Sequence, residues 1–176
     1  EYYGLQETGI LTQLGPEEKE RKPDSVGKVI FSAEVRIVDA QGKDVPVGEV
    51  GEIIGRVPTA TAGYFQNEEK TREVFRDGWV HTGDLGIMDT DEYVRITGRL
   101  KDVIVRNGTE IHPVEIEEIL YRFPGVSEAQ VFGFPHHRRG QEIAAWVKVK
   151  PGADVSVEAI REHVRGLAGA ERSPDH

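Results

Sequence analysis

Residues 81–86 (HTGDLG), 98–102 (GRLKD) and 107–117 (NGTEIHPVEIE) are three clusters of small and charged residues, separated by short apolar runs. Glycines next to acidic or basic residues are typical of turns in which the backbone approaches a ligand closely. Chance rarely produces this order and spacing. We therefore expect the functional residues of the chain to lie in and around these clusters.

The composition excludes several classes of protein. The 176 residues carry 22 lysines and arginines against 31 aspartates and glutamates, a net charge of −9, which repels nucleic acids and anionic membrane surfaces. No apolar run reaches the roughly 20 residues that a transmembrane helix needs. The chain has no cysteine, which excludes disulfides and thiol catalysis. We expect a cytoplasmic protein that binds no nucleic acid, and the oligomeric state stays open.

Residues 29–97 have the pattern of short β-strands. Apolar and polar residues alternate from Val29 to Val38, which predicts one half-buried strand. Residues 50–57 predict its antiparallel neighbour. Further strands are predicted at residues 79–82, 85–88 and 93–97. Short strands at this density predict a distorted, β-barrel-like unit.

Two local signals interrupt these strands. Asn67 is placed to cap a short helix over residues 68–75, whose first turn is acidic. Asp77-Gly78 is a dipeptide that favours a tight turn between strands.

The pattern changes after Arg99. Pro113 is placed in the first turn of a predicted helix that runs to about Arg122, where its missing N–H costs nothing. Strands at 126–134 and 142–149 and a helix from about residue 156 to Arg165 are predicted next. This alternation predicts a small α/β unit with a short mixed or antiparallel sheet flanked by helices. The chain as a whole is predicted to be α+β, with the junction of its two units at residues 98–102.

The three clusters resemble the adenylate-forming, AMP-binding enzymes, and among them the acyl-CoA synthetase branch. In this superfamily the Asp of Thr-Gly-Asp binds the ribose hydroxyls of ATP, which implies that role for Asp84. The resemblance implies that Arg99 contacts ribose and phosphate. Taken alone, Asp84 has the ordinary interpretation of a turn residue and Arg99 that of a solvated charge.

Tyr3–Thr8 (YGLQET) is similar to the Tyr-Gly-x-Thr-Glu signature of the same superfamily. The resemblance implies that Tyr3 offers its ring to adenine, that Gly4 and Gln6 line the nucleotide, and that Glu7 binds Mg²⁺. Gln6 stands where the family usually has a Thr that contacts the α-phosphate. The Gln amide can still donate a hydrogen bond there.

The resemblance also implies a domain organisation. Residues 1–98 correspond to the end of a large AMP-binding N-terminal domain, and residues 99–176 to most of a small C-terminal domain. Lys101 and Asp102 then form the hinge about which the small domain rotates. The alternative interpretation of these two residues is a charged, solvated linker.

Asn107, Gly108 and Thr109 resemble the loop that lines the CoA tunnel in these enzymes. The family commonly has two glycines where this chain has Asn107-Gly108, and Asn tolerates positive φ better than most residues. A plain loop before the predicted helix is the alternative. Gly63-Tyr64-Phe65 also fits the family, and we interpret it as packing.

These features imply an ATP-dependent carboxylate–CoA ligase that uses ATP, CoA and Mg²⁺ and acts on a small-molecule carboxylic acid. The family's phosphate loop is not present, and neither is the catalytic Lys that follows in the C-terminal domain. We therefore expect the chain to be a piece of the enzyme, inactive alone, and to bind AMP very weakly or not at all by itself. The identity of the acid is not predicted.

Three alternatives remain at this point. One is an amino-acid adenylation domain, and another is a luciferase-like member of the same superfamily. The third is a non-catalytic nucleotide-binding or interaction module.

Overall fold

The computed structural model describes residues 1–176, which divide into two compact units, Glu1–Leu100 and Lys101–His176. Each unit has its own sheet and its own hydrophobic core. A single 3-10 turn, Leu100–Asp102, spans the boundary. None of the helices has the length and apolar character needed to cross a membrane.

The first unit is built on an eight-stranded, antiparallel sheet. Its strands are β1 (Tyr2–Leu5), β2 (Gly9–Gln13), β3 (Gly27–Val29), β4 (Glu34–Val38), β5 (Gly51–Arg56), β6 (Phe75–Arg76), β7 (Trp79–Met88) and β8 (Tyr93–Arg99). Two short helices accompany them, α1 (Pro16–Arg21) and α2 (Glu68–Val74). The strand order is β1-β2-β3-β8-β7-β5-β4, and β6 pairs with the start of β7.

This sheet is open but strongly curled. Its end strands, β1 and β4, do not pair with each other, so no barrel closes. The curl encloses a core that includes Leu11, Ile53 and Val94, each fully buried. The predicted α+β class is confirmed, and the barrel-like character takes the form of curvature without closure.

The prediction of one strand over residues 29–38 is wrong. Strand β3 ends at Val29 and β4 begins at Glu34, because a turn closes between them, where the Ala33 amide donates to the Ile30 carbonyl at 3.0 Å. Phe31, counted as an inward position of the alternating pattern, is fully exposed in that turn. Strand β4 then pairs antiparallel with β5, as predicted for these two segments.

Residues 2–13 form a β-hairpin. Strand β1 pairs with β2, and the Gly9 carbonyl lies so close to Gly4 that a Cβ built there would be 1.8 Å from it. Gly4 is therefore required by the hairpin itself.

The local signals around residue 70 are confirmed. Asn67 Oδ1 accepts a hydrogen bond from the Lys70 amide at 3.0 Å and caps α2. Asp77 and Gly78 have φ values of 51° and 79°, as a tight turn between β6 and β7 needs. Segments 79–82 and 85–88, predicted as two strands, form the single irregular strand β7.

The second unit packs two helices on a four-stranded antiparallel sheet. Its elements are β9 (Ile104–Arg106), β10 (Thr109–Ile111), α3 (Pro113–Tyr121), β11 (Val126–His136), β12 (Gly140–Val149) and α4 (Val157–Ala168). The strand order is β10-β9-β12-β11. The core joins Ile116 and Leu120 of α3, Ile143 of β12 and Val164 of α4. Pro113 begins α3 as predicted, and α4 extends three residues beyond Arg165, the end expected for it.

Candidate functional site

Asp84 and Arg99 face each other across strands β7 and β8. The two residues are cross-strand partners, and Arg99 Nε lies 3.3 Å from Asp84 Oδ1. The Asp84 side chain is 15% exposed and that of Arg99 is 61% exposed. A mostly buried carboxylate beside an exposed guanidinium leaves both groups able to contact a polar ligand.

Tyr3 reaches the same carboxylate from strand β1. Its hydroxyl donates to Asp84 Oδ2 at 2.9 Å, and Tyr3 is 9% exposed. Burial raises the pKa of Tyr3, so the phenol stays a neutral donor at physiological pH. Each Asp84 oxygen keeps a further acceptor direction, which two neighbouring hydroxyls of a ribose can fill. The structure thus brings Tyr3, Asp84 and Arg99 together.

The turn before Asp84 is held by side chains. Thr82 Oγ1 donates to the Ile53 carbonyl at 2.6 Å and accepts from the Asp84 amide at 3.0 Å. Glu52 accepts from the Gly83 amide at 3.1 Å and contacts His81 Nδ1 at 2.7 Å. The backbone that carries Asp84 therefore has fixed partners on strand β5.

Glu7 lies in the turn between β1 and β2. The Tyr64 hydroxyl donates to Glu7 Oε1, and this hydrogen bond, with burial, raises the pKa of Tyr64 to about 12. The Thr61 amide donates to the Glu7 carbonyl at 2.9 Å. Side chain and backbone of Glu7 are thus both tied to the segment that carries Tyr64.

The residues around Glu7 fit a Mg²⁺ ion only if most of its ligands are waters and substrate phosphates. The structure contains no group of three or more His, Cys, Asp or Glu side chains that could hold a metal ion. Mg²⁺ nevertheless keeps several waters and is commonly bound by one or two carboxylates together with substrate phosphates. One half-buried carboxylate with a free second oxygen fits that arrangement. Gln6, next to it, is exposed and its amide has no partner within the protein.

The residues predicted to contact CoA form the tip of a hairpin in the second unit. Asn107 and Gly108 have φ values of 52° and 78° and make the two-residue turn between β9 and β10. The Asn107 amide donates to the Arg139 carbonyl at 2.8 Å, and Thr109 begins β10 with an exposed side chain. Asn107 therefore adopts the positive φ expected of it.

The predicted hinge residues, Lys101 and Asp102, are exposed and lie in the 3-10 turn at the boundary of the two units. Neither side chain forms an ion pair.

Sequence reasoning missed two supporting residues. Tyr64 was interpreted as packing, yet its hydroxyl holds Glu7. Glu52 carried no prediction beyond its place in a strand. The alternation of β5 put Glu52 next to a buried isoleucine, but nothing local indicated that its carboxylate would reach across to the turn at Gly83.

Two family models match separate parts of the chain. The model of the AMP-binding enzyme matches residues 1–65, and that of the AMP-binding enzyme C-terminal domain matches residues 115–176.

Individual proteins and solved structures are similar to nearly the whole chain. The medium-chain acyl-CoA ligase ACSF2 of Danio rerio, a mitochondrial protein, is 39% identical over 98% of this chain. The ATP-bound structure of MatB from Rhodopseudomonas palustris matches 99% of the chain with a TM-score of 0.92 and 35% identity. The amide bond synthetase McbA of Marinactinospora thermotolerans matches 99% with a TM-score of 0.90 and 34% identity. The chain covers only 29%, 35% and 36% of these three proteins.

Proposed function

Because this chain belongs to the AMP-binding enzyme family, we propose that it is part of an ATP-dependent carboxylate–CoA ligase. The observation that carries this proposal is the convergence of Tyr3 and Arg99 on the Asp84 carboxylate. A mostly buried carboxylate held between a neutral phenol and a cation suits a ribose diol beside a phosphate. Similarity to ACSF2, whose name states an acyl-CoA ligase, supports the choice of reaction.

The reaction has two steps. A carboxylate oxygen attacks the α-phosphorus of ATP, the bond to pyrophosphate breaks, and an acyl-adenylate forms. The thiol of CoA then attacks the acyl carbon, the bond to AMP breaks, and the thiol proton is lost to solvent as the thioester forms. Most of the catalysis in the first step is positioning and stabilisation of phosphate charge.

In the first step the residues of this chain hold the nucleotide. Asp84 accepts the ribose hydroxyls, Arg99 contacts ribose and phosphate oxygens, and the backbone around Gly4 and Gln6 borders the nucleotide. The resemblance assigns adenine to the ring of Tyr3, of which the structure leaves 9% exposed. Glu7 would hold Mg²⁺, which neutralises phosphate charge when bound.

In the second step we assign Asn107, Gly108 and Thr109 to the pantetheine arm of CoA. We assign Lys101 and Asp102 to the hinge between the unit that ends at Leu100, two residues later than the expected end at residue 98, and the unit that follows. The exposed 3-10 turn at Leu100–Asp102 supports this assignment, since few contacts resist a change of its dihedral angles. We place the protein in the cytoplasm, where a chain without cysteine needs no oxidative folding.

The acyl acceptor has a second candidate. McbA is described as an amide bond synthetase, and its similarity to this chain matches that of MatB in extent. An amine would then replace the CoA thiol in the second step, while the adenylation step and the role of Asp84 stay unchanged.

The test uses the complete protein that the gene encodes. Acid-dependent exchange of labelled pyrophosphate into ATP, measured over a panel of carboxylic acids, is expected for at least one acid. Addition of CoA or of amines to the reactive acid then identifies the acceptor from the mass of the product. An Asp84→Ala variant is expected to lose most of the exchange. Nucleotide binding without exchange for any acid would contradict the ligase and favour a binding module.

A further inference from the structure

We propose that Glu52 is a positioning residue of the nucleotide site, which holds the turn that presents Asp84 to the ribose. This inference rests on the proposed function, since it takes a ribose as the ligand of Asp84.

On the side of β5 the strand pairing leaves residues 82–84 without regular backbone partners, although Asp84 pairs with Arg99 of β8 on the other side. Strand β5 pairs with β7 at Glu52↔Leu85 and next at Ile54↔His81. Ile53 alone therefore lies opposite the three residues 82–84, so β7 bulges at this point. Bulges are common beside active sites, where they redirect a side chain. Here Asp84 is the last residue of the bulge.

Glu52 supplies the bonds that the ladder does not. Its Oε1 accepts from the Gly83 amide at 3.1 Å, and its Oε2 lies 2.7 Å from His81 Nδ1. Because an ionised carboxylate only accepts, His81 Nδ1 carries the proton in this contact. One side chain thus fixes the residue that starts the bulge and the residue before Asp84.

Burial makes these contacts strong. The side chains of Glu52 and His81 are both 13% exposed. Hydrogen bonds to a charged group that is shielded from water stabilise more than neutral, exposed ones. Without the carboxylate the Gly83 amide loses its hydrogen-bond partner, and only Thr82, Tyr3 and Arg99 still hold Asp84. The bulge can then shift, and Asp84 is presented less accurately to the ribose.

The experiment separates positioning from general stability by comparing two nucleotides. AMP and 2′,3′-dideoxy-AMP differ only in the hydroxyls that Asp84 would bind. Their Kd values are measured by calorimetry with the complete protein and with the variants Glu52→Ala, Glu52→Gln, Asp84→Ala and the double variant. Glu34→Ala is the matched control, because Glu34 lies on the neighbouring strand β4 and pairs with Arg56 at the surface.

The wild type and Glu34→Ala are expected to prefer AMP, and Asp84→Ala to lose that preference. Glu52→Ala is expected to reduce the preference about tenfold, in the range of one charged hydrogen bond. Glu52→Gln keeps an acceptor for Gly83 and is expected to retain most of it. The double variant is expected to match Asp84→Ala alone, since both changes act on one contact.

Equal weakening of both nucleotides in Glu52→Ala, or additive effects in the double variant, would overturn the positioning role. If Glu52→Ala does not fold, Glu52→Asp carries the same comparison, because its shorter side chain cannot reach both partners. A wild type that binds AMP and the dideoxy nucleotide equally would instead count against the proposed function, and with it this inference.

Discussion

The hydroxyl of Tyr3 and the carboxylate of Asp84 form a 2.9 Å hydrogen bond although 81 residues separate them. Their strands, β1 and β7, are four steps apart in the sheet order. In a flat sheet four steps would place the strands about 19 Å apart. The curl of the sheet is therefore what assembles the candidate nucleotide site.

Replacing Tyr3 with Phe is expected to weaken AMP binding by the complete protein about fivefold to tenfold, because Asp84 loses a buried donor. Isothermal calorimetry measures the change. Tyr2→Phe is the matched control, since Tyr2 is 64% exposed and its hydroxyl has no partner. Unchanged affinity in Tyr3→Phe would show that the phenol does not organise the site.

Replacing Tyr64 with Phe removes the donor to Glu7. We expect the Mg²⁺ concentration that half-saturates ATP binding to rise about fivefold, because the carboxylate is no longer oriented. A calorimetric titration of ATP at several Mg²⁺ concentrations measures this directly. Tyr93→Phe is the control, since the Tyr93 hydroxyl also donates to a glutamate, Glu18, at 2.6 Å, but away from Glu7. The idea fails if both variants respond alike to Mg²⁺.

Arg106 anchors the second unit through a buried ion pair. Its guanidinium is 6% exposed and lies 3.0 Å from Asp175, and it also donates to the Glu171 carbonyl at 3.1 Å. Arg106→Met is expected to lower the free energy of unfolding of this unit by about 3 kcal/mol, because it leaves Asp175 without its main partner. Urea unfolding monitored by hydrogen exchange measures the decrease in the free energy of unfolding.

The control for Arg106 is Arg172→Met. Arg172 pairs with Glu115 at the surface, where both side chains are more than 40% exposed. Its removal is expected to cost less than about 1 kcal/mol. Similar losses in the two variants would mean that burial of Arg106 adds nothing.

Glu18 makes the stability of the first unit depend on pH. Hydrogen bonds from the Tyr93 hydroxyl and the Gly15 amide hold the pKa of Glu18 below its ordinary value of 4.5. A lowered folded-state pKa stabilises the fold above pH 4.5 and loses that stabilisation as the pH falls through the folded-state pKa. Glu18→Gln is expected to be less stable at pH 7 and to lose less on acidification. Urea unfolding between pH 3 and pH 7 would refute this if the two curves stayed parallel.

Signals that act within a few residues were enough for much of this chain. Asn67 caps a helix, Asp77-Gly78 closes a hairpin and Pro113 begins a helix, because each needs only its own backbone and that of its neighbours. The motif around Asp84 indicated the family for the same reason, since its functional residues are consecutive in the sequence.

Contacts between distant residues could not be obtained in this way. Alternation from residue 29 to residue 38 predicted one strand, but pairing with β8 on one side and β5 on the other breaks it at a turn. The resemblance assigned Tyr3 and Asp84 to one nucleotide, but it did not indicate that the Tyr3 hydroxyl donates to Asp84. It also did not indicate that Glu52 accepts from Gly83 or that Tyr64 donates to Glu7, because these partners come from other strands and loops. Residue type and spacing indicate which residues bind the ligand. The curvature and register of the sheet determine which other side chains hold those residues in place.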